Sequence, residues 1–226
     1  LDALEGAPRY ADWIIEQMAP HVSGRVLEVG AVLGTMTGRL AALGKVVASE
    51  PSPELANRLR DRYAGSPDVE VIQADAVAAA AHGPFDAAVA VNVLEHIEDD
   101  VGALRALRDC LRPGGIVALW VPAYEALFSD FDRRIGHHRR YRASTLAATI
   151  DDAGLDLVES RYVHGLGAVA WFVYATMRAG TPTASPLTRL YDRVAIPLVR
   201  RTEARRPVRF GQSILCIARR REDSPT

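Results

Sequence analysis

Residues 25–35 of this 226-residue chain read Arg-Val-Leu-Glu-Val-Gly-Ala-Val-Leu-Gly-Thr. A short apolar run, interrupted only by Glu28, closes on Gly30 and is followed by Gly34. A strand that turns through glycines into a helix lets the backbone approach a ligand lying over the end of the strand. The stretch therefore predicts the first strand and the first ligand-contacting turn of an α/β fold.

The alternation of strand and helix continues on both sides of this stretch. Short apolar runs predict strands, and apolar residues three or four apart predict helices. Proline and glycines at 112–115 are expected to end a helix before the fifth strand. The predicted strands are 25–30, 45–49, 69–72, 85–91, 116–121, 155–163 and 213–218, and the predicted helices are 8–20, 36–43, 53–63, 100–111 and 144–153, the last capped by Ser144. This order predicts a parallel sheet with helices on both faces.

Polar side chains follow the second, third and fourth predicted strands. Glu50 lies about twenty residues past Gly30, where a carboxylate can bind two ribose hydroxyls. Asp75 follows the third strand, where an adenine amino group would lie, and Asn92 follows the fourth. The carboxyl ends of parallel strands share one edge, so we expect a nucleotide-like ligand there. The turn lacks Gly-x-Gly-x-x-Gly, and no Tyr-Lys pair follows, which disfavours a nicotinamide dehydrogenase.

These motifs together resemble the motif series of class I S-adenosylmethionine-dependent methyltransferases, over about residues 8–122. The motifs are Glu28-Val-Gly30 with Gly34, Glu50, Ala74-Asp75-Ala76, Asn92-Val-Leu-Glu-His96 and Leu111-Arg-Pro-Gly-Gly115. The last is typical of the ubiquinone/menaquinone-methyltransferase-like branch, also called methyltransferase type 11/12-like. The resemblance implies a doubly wound, Rossmann-like sheet of seven strands in the order 3-2-1-4-5-7-6, with strand 7 antiparallel. It also implies S-adenosylmethionine as cofactor and S-adenosylhomocysteine as product.

The resemblance assigns ten residues to the cofactor. Gly30 and Gly34 would lie under its methionine part, Glu50 would bind the ribose, and the Asn92 backbone would bind the amino group. The full set is Tyr10, Glu28, Gly30, Gly34, Glu50, Pro51, Asp75, Ala76, Asn92 and Val93. Three of these matches have a structural alternative: Tyr10 could pack in the core, and the strand-end acids Glu50 and Asp75 could be solvated. One position departs from the family, because Val32 stands where a glycine is usual. If Val32 must adopt a glycine-like conformation, we expect strain of about 1–3 kcal/mol.

The second half of the chain is expected to bind the acceptor. We expect one domain over 1–226, with a cofactor-binding half at 1–122 and an acceptor-side half at 123–226. The acceptor-side half would carry a helical lid at about 164–210, inserted before the last strand, with helices at 165–178 and 187–201. This insertion could instead be core packing, a dimer surface, or a basic surface that approaches a membrane.

Three side chains are candidates for a catalytic base. A hydroxyl acceptor usually needs a base, and histidine is the usual one near neutral pH. His96 lies just beyond strand four, and His138 and Tyr141 would lie one helical turn apart. Arginines at 133, 134, 139, 140 and 142 could bind an anionic acceptor, or could form a solvated face paired with acids at 130, 132, 151 and 152.

These residues predict methyl transfer from S-adenosylmethionine to oxygen or nitrogen of a small molecule, by analogy a natural product or a lipid- or sugar-linked metabolite. The alternative is a non-catalytic cofactor-binding or scaffold protein that keeps the fold. No CxxC or HxxxH pair is present, so no metal is expected. A pI near 6.7 and the lack of a recognition motif argue against nucleic acid. The first residues do not resemble a signal peptide, and no apolar stretch is long enough to cross a membrane, so the cytoplasm is expected.

Overall fold

The computed structural model of the protein describes residues 6–165, 186–204 and 208–222. Seven strands occupy Gly24–Val29 (β1), Gly44–Ser49 (β2), Val69–Ile72 (β3), Phe85–Val91 (β4), Leu111–Pro122 (β5), Leu155–Val163 (β6) and Ser213–Arg220 (β7). The helices described are Pro8–Met18 (α1), Thr37–Leu40 (α2), Pro53–Arg62 (α3), Ala76–Ala80 (α4), Asp100–Cys110 (α5), Asp130–Arg134 (α6), Ala143–Asp152 (α7) and Pro186–Glu203 (α8). Short 3₁₀ turns follow β4 at Leu94–His96 and β5 at Glu125–Leu127.

The seven strands form one sheet in the order β3-β2-β1-β4-β5-β7-β6. β1 to β5 are parallel where they pair, and β7 runs antiparallel to both β5 and β6. This is the doubly wound order that the family resemblance implies, so the predicted fold is confirmed. The strand order reverses between β1 and β4, and ligands bind beyond the carboxyl ends of strands at such a point.

Alternating side chains of the strands build a core on each face of the sheet. On one face, Leu27 and Val29 of β1 pack with residues of α4, α5 and α7. On the other, Val26 packs with Trp13 and Ile14 of α1 and with residues of α2, α3 and α8. Both faces of a parallel sheet must be covered, which explains why its central strands read as continuous apolar runs.

Four local predictions differ from the structure. The fifth strand begins at Leu111, where the helix ends, and its register on β4 shifts between the pairs Phe85–Leu111 and Ala87–Ile116. The predicted helix 36–43 is only the four residues of α2, and the alanine-rich α4 was not predicted. Ser144 does not cap α7. The helix begins at Ala143, because the backbone N–H of Arg142 donates to Thr145 Oγ1, 2.9 Å away.

The predicted lid is described only in part. The predicted helix 165–178 lies almost entirely outside the described residues, whereas the helix expected at 187–201 is present as α8. Ile196 and Val199 of α8 are buried, and Val199 packs with the core beneath α1. Within the described parts of the chain, no helix is long and apolar enough to cross a membrane.

Candidate functional site

Two glycines shape the turn after β1. Gly30 and Gly34 have φ of 71° and 80°, a left-handed conformation that glycine adopts without strain. A Cβ built on Gly30 would lie 2.7 Å from Cγ2 of Val93, so the turn lies directly against the residue that follows β4. The two predicted segments are therefore in contact at the point where strand order reverses.

Val32 adopts the same left-handed conformation, with φ 50°. This conformation is unfavourable for a β-branched residue, and it costs on the order of 1–3 kcal/mol. The backbone N–H of Val32 donates to Oε2 of Glu50 at 3.0 Å, which helps to hold the strained residue in place. The turn therefore keeps the shape that a glycine at position 32 would allow, and Val32 is strained in that shape.

Glu50 connects the turn to the end of β2. Its side chain is buried, and its second oxygen, Oε1, accepts the N–H of Ser52 at 3.0 Å, across the exposed Pro51. Each carboxylate oxygen can accept two hydrogen bonds, and each here accepts one from the backbone. The remaining lone pairs are suitable acceptors for a pair of hydroxyls.

Asp75 is exposed and caps α4. Its Oδ1 accepts the N–H of Ala78 at 2.8 Å, and its other oxygen has no part in this cap. Ala76 is the first residue of α4, and the first N–H groups of a helix lack partners within the helix. Ser49 Oγ donates to the carbonyl of Ala74 at 3.0 Å and so joins the ends of β2 and β3. The N–H of Ala76 and the second carboxylate oxygen of Asp75 thus place a hydrogen-bond donor and an acceptor side by side at the end of β3.

Asn92 also has a left-handed backbone, with φ 52°. Asparagine tolerates this conformation better than most residues do. Its N–H donates to the carbonyl of Trp120 at 2.7 Å, which fixes the end of β4 against β5. The predicted cofactor segments therefore follow β1, β2, β3 and β4 along one edge of the sheet.

Glu28 lies below this edge, inside a cavity under the glycine turn. The cavity is lined by residues 28–33, 35, 36, 89 and 91, so it contains Glu28 and Gly30 but none of the other predicted cofactor residues. Burial raises the pKa of Glu28 to about 7, and the nearby Thr37 hydroxyl opposes the shift. The carboxyl group therefore supports the turn from beneath and titrates close to neutral pH.

Tyr10 packs in an aromatic group, and its predicted contact with the cofactor stays a prediction. Its ring lies 4.8 Å from the ring of His164 and about 6 Å from those of Trp13 and Trp120. Burial raises the pKa of Tyr10 to about 12. The structure thus gives Tyr10 the packing environment that was the alternative to a cofactor contact.

His96 ends the 3₁₀ turn after β4. Its Nδ1 lies 3.2 Å from the carbonyl oxygen of Gly136, and its ring meets the ring of His137 edge-on at 4.5 Å. Burial, followed by the effect of His137, lowers the pKa of His96 to about 4. The imidazole is therefore neutral at pH 7. A carbonyl only accepts, so Nδ1 carries the proton and Nε2 keeps its lone pair.

His138 and Tyr141 do not share a helical face, because residues 137–140 form no helix and Tyr141 pairs with Ala123 in a β-bridge. His138 is exposed. Tyr141 is 2% exposed and donates its hydroxyl proton to Asp100 Oδ2 at 2.8 Å. Burial and Asp100 raise the pKa of Tyr141 far above its usual value. Tyr141 is therefore suited to supporting the fold rather than to accepting a proton.

A buried polar cluster lies beside His96 that the sequence analysis did not single out. His137 Nδ1 lies 2.9 Å from Asp132 Oδ1, and Arg140 binds the same oxygen with Nε at 2.9 Å and Nη2 at 2.8 Å. These contacts hold the pKa of Asp132 well below its usual value. His137 Nε2 lies 3.7 Å from Oε1 of the fully buried Glu95. Four residues separate Asp132 from His137, and 41 separate Glu95 from His137, so no short spacing motif indicates the cluster.

The arginines of this segment have separate roles. Arg133 pairs with Asp130 at 2.6 Å in an exposed contact, as the solvated-face interpretation expects. Arg139 binds Asp100 at 2.6 Å, and Arg140 is buried on Asp132. The partners at 151 and 152 proposed from the sequence are not among these contacts.

Comparisons with known proteins identify the family of this chain. The family described as "Methyltransferase domain" matches residues 4–160. A ubiquinone biosynthesis O-methyltransferase of Ralstonia nicotianae is 34% identical over 114 residues, which are 49% of this chain and 48% of that protein. The chain thus spans about half the length of this curated relative.

Solved structures share the fold at low identity. The N-methyltransferase NodS of Bradyrhizobium japonicum, solved with S-adenosyl-L-homocysteine, is 16% identical with a TM-score of 0.59, covering 94% of this chain and 86% of its own. The (4+2)-cyclase SpnF is 19% identical with a TM-score of 0.64, covering 96% and 81%. These likenesses concern the fold alone. The match over residues 4–160 decides the family, and the chain belongs to the methyltransferase domain family.

Proposed function

We propose that this chain transfers a methyl group from S-adenosylmethionine to an oxygen or nitrogen atom of a small molecule. The observation that carries the proposal is the arrangement of Glu50. Its carboxylate holds the glycine turn through Val32 and keeps lone pairs for two ribose hydroxyls. NodS, which shares the fold, was solved with S-adenosyl-L-homocysteine.

The proposed donor site follows the edge from β4 to β3. Gly30 would lie under the methionine part, in the turn that its left-handed backbone shapes. Glu50 would bind the ribose, with Pro51 beside it. Asp75 would accept from the adenine amino group, and the Ala76 N–H would donate to the ring.

The donor supplies an electrophilic methyl group on a sulfonium centre. The residues of the chain then need only to align the acceptor with the carbon–sulfur bond and to keep water away. We place the acceptor beside the turn Leu94–His96, which begins directly after Asn92 and Val93. The acceptor's own proton leaves as its oxygen or nitrogen bonds to carbon, and Nε2 of His96 is the ring nitrogen left unbound by Gly136.

The alternative is a protein that keeps the fold without methyl transfer. The strained Val32 favours it, because an unfavourable turn weakens donor binding, and the cyclase SpnF shows that the same fold occurs with another described activity. Against it stands the arrangement of Glu50, Asp75 and Asn92 at three strand ends. A measurement of methyl transfer distinguishes the enzyme from the non-catalytic protein.

Formation of S-adenosylhomocysteine tests the proposal. The chain is incubated with S-adenosylmethionine and a panel of phenols, catechols, hydroxy acids and primary amines, and product is measured with and without each acceptor. We expect acceptor-dependent product from at least one class, and a loss of at least about tenfold in Glu50→Gln, which removes a charge-assisted hydrogen bond. Donor binding without product from any acceptor would favour the non-catalytic alternative.

A further inference from the structure

Three side chains of the metal-ligand type converge beside the end of β4. Glu95 and His96 lie in the 3₁₀ turn that follows this strand, and His137 lies beyond α6. Their ligand atoms all lie within 4.8 Å of one another, and Glu95 Oε1 is 3.7 Å from His137 Nε2. Ligands of a metal ion at bond lengths of about 2.0–2.2 Å lie roughly 3–3.5 Å apart. Small side-chain rotations would bring the three atoms to that spacing.

Both imidazoles have the hydrogen bonds that a metal-binding histidine needs. His137 Nδ1 lies 2.9 Å from Asp132, and His96 Nδ1 lies 3.2 Å from the Gly136 carbonyl. An acceptor on Nδ1 fixes the proton there, so the lone pair is on Nε2 in each ring. Carboxylate and carbonyl partners of this kind are the usual outer contacts of histidine ligands.

Asp132 is itself held firmly. Its Oδ2 accepts from the N–H and the hydroxyl of Ser129, both at 2.8 Å, and its Oδ1 binds Arg140. The carboxylate is therefore ionised and fixed in direction. It orients His137 and leaves Nε2 directed towards Glu95.

The carboxyl group of Glu95 gives an independent argument for a bound cation. Its side chain is fully buried, and neither oxygen has a hydrogen-bond partner among the described residues. Burial raises its pKa to about 8. Protonation would let one oxygen donate towards Nε2 of His137, but it would still leave the other oxygen without a partner among the described residues. A cation bound between Glu95 and the two imidazoles would satisfy both oxygens.

We propose that Glu95, His96 and His137 bind one divalent transition-metal ion, of the zinc, iron(II) or manganese(II) type. Two imidazoles favour such ions over magnesium and calcium, which prefer oxygen ligands. Glu95 is fully buried and the side chain of His137 is 9% exposed, so water would complete the coordination from the side of His96. An ion on Nε2 of His96 would occupy the nitrogen that the proposed methyl transfer leaves for the acceptor's proton, so the two roles belong to the ion-bound and the ion-free chain. Metal binding is tested without the methyl donor, and either proposal can fail alone.

Calorimetric titration of Zn²⁺ into the chelator-treated chain tests the site. We expect one ion per chain with a dissociation constant in the micromolar range or below. His137→Ala and Glu95→Gln should each weaken binding by at least about 100-fold, and Asp132→Asn by about 10- to 100-fold through the orientation of His137. His82→Ala, which removes an exposed histidine elsewhere, should bind as the wild type does.

A measurement on the wild-type chain removes the dependence on variants that could fail to fold. Zinc should shift the ¹⁵N resonance of Nε2 in His96 and His137, and in no other histidine. Absence of stoichiometric binding, unchanged affinity in a folded His137→Ala, or shifts confined to other histidines would each overturn the proposal.

Discussion

Single residues decide how well the turn after β1 can hold a donor, and Val32 is the most informative of them. Its φ of 50° is suited to glycine, and one buried carboxylate, Glu50, holds it there. Strain at a site of this kind is retained when the surrounding contacts over-determine the conformation. Removal of the strain at position 32 is therefore expected to stabilise the protein.

Replacement Val32→Gly should raise the free energy of unfolding by up to about 1 kcal/mol, because relief of strain exceeds the added flexibility of the unfolded chain. Val194→Gly makes the same chemical change at an exposed position in the middle of α8, and should lower it by about 0.5 kcal/mol. Urea denaturation measures both. A loss at Val32 as large as the loss at Val194 would show that the turn is not strained.

Glu28 gives the protein a predicted pH dependence. Its pKa is raised from 4.5 to about 7 by burial, so the folded state holds a proton that the unfolded state has already lost between these values. The contribution of Glu28 to the free energy of unfolding should therefore be largest below pH 4.5 and should fall as the pH rises to 7, by on the order of 2–3 kcal/mol.

The comparison of wild type with Glu28→Gln isolates this contribution. The difference in the free energy of unfolding between the two should change with pH from 5 to 7 and level off above pH 8. Glu54→Gln, at an exposed position of α3, should leave the pH dependence of the wild type unchanged. A difference between wild type and Glu28→Gln that does not vary with pH would contradict the raised pKa.

At the scale of elements, α1 depends on a distant helix for its first turn. Ala7 offers no side-chain cap, and Asp192 of α8 accepts the N–H of Tyr10 at 2.9 Å and of Arg9 at 3.2 Å. Asp192 is buried, and a carboxylate at a helix N-terminus is favoured by the helix dipole. α8 therefore acts as the N-terminal cap of α1 across 182 residues.

Asp192→Ala should lower the free energy of unfolding by about 1–2 kcal/mol, the usual effect of losing a helix cap. It should also speed hydrogen exchange at the amides of Arg9 and Tyr10. Asp61→Ala, at an exposed position in α3, should change the free energy of unfolding by less than about 0.5 kcal/mol. Equal effects of the two substitutions would mean that the contact with α8 does not support α1.

Elements were predicted well where the signal is local. β3 and β4 have the predicted bounds. β4 is a central, buried strand, and a nearly continuous apolar run is enough to indicate it. The end of α5 and the start of β5 were separated in the prediction, because proline and glycine read as a turn; in the structure they form an irregularity inside the strand. The start of α7 is set by Thr145 rather than by Ser144, a choice between neighbouring hydroxyls that composition does not make.

At the scale of the whole molecule, the sequence predicts which edge of the sheet would bind the donor, but it does not predict the shape of the pocket there. The residues after β1 to β4 were predicted together because parallel strands end on one side. The order of all seven strands came from the family resemblance, since spacing alone does not order strands. Asp132 was expected as a partner of the arginines, but its contact with His137 and the approach of His137 to Glu95 were not predicted. These contacts depend on how the segment after β5 folds back on the turn after β4.

The central claim is that the strand ends after β1 to β4 form a donor site, and calorimetric titration of S-adenosylhomocysteine tests it most directly. We predict one site per chain with micromolar affinity, weaker binding by at least about tenfold in Glu50→Gln, and no binding of NAD. Val194→Gly, at an exposed position of α8, should bind as the wild type does. Binding to Glu50→Gln with wild-type affinity, or no binding to the wild type at millimolar concentration, would contradict the account.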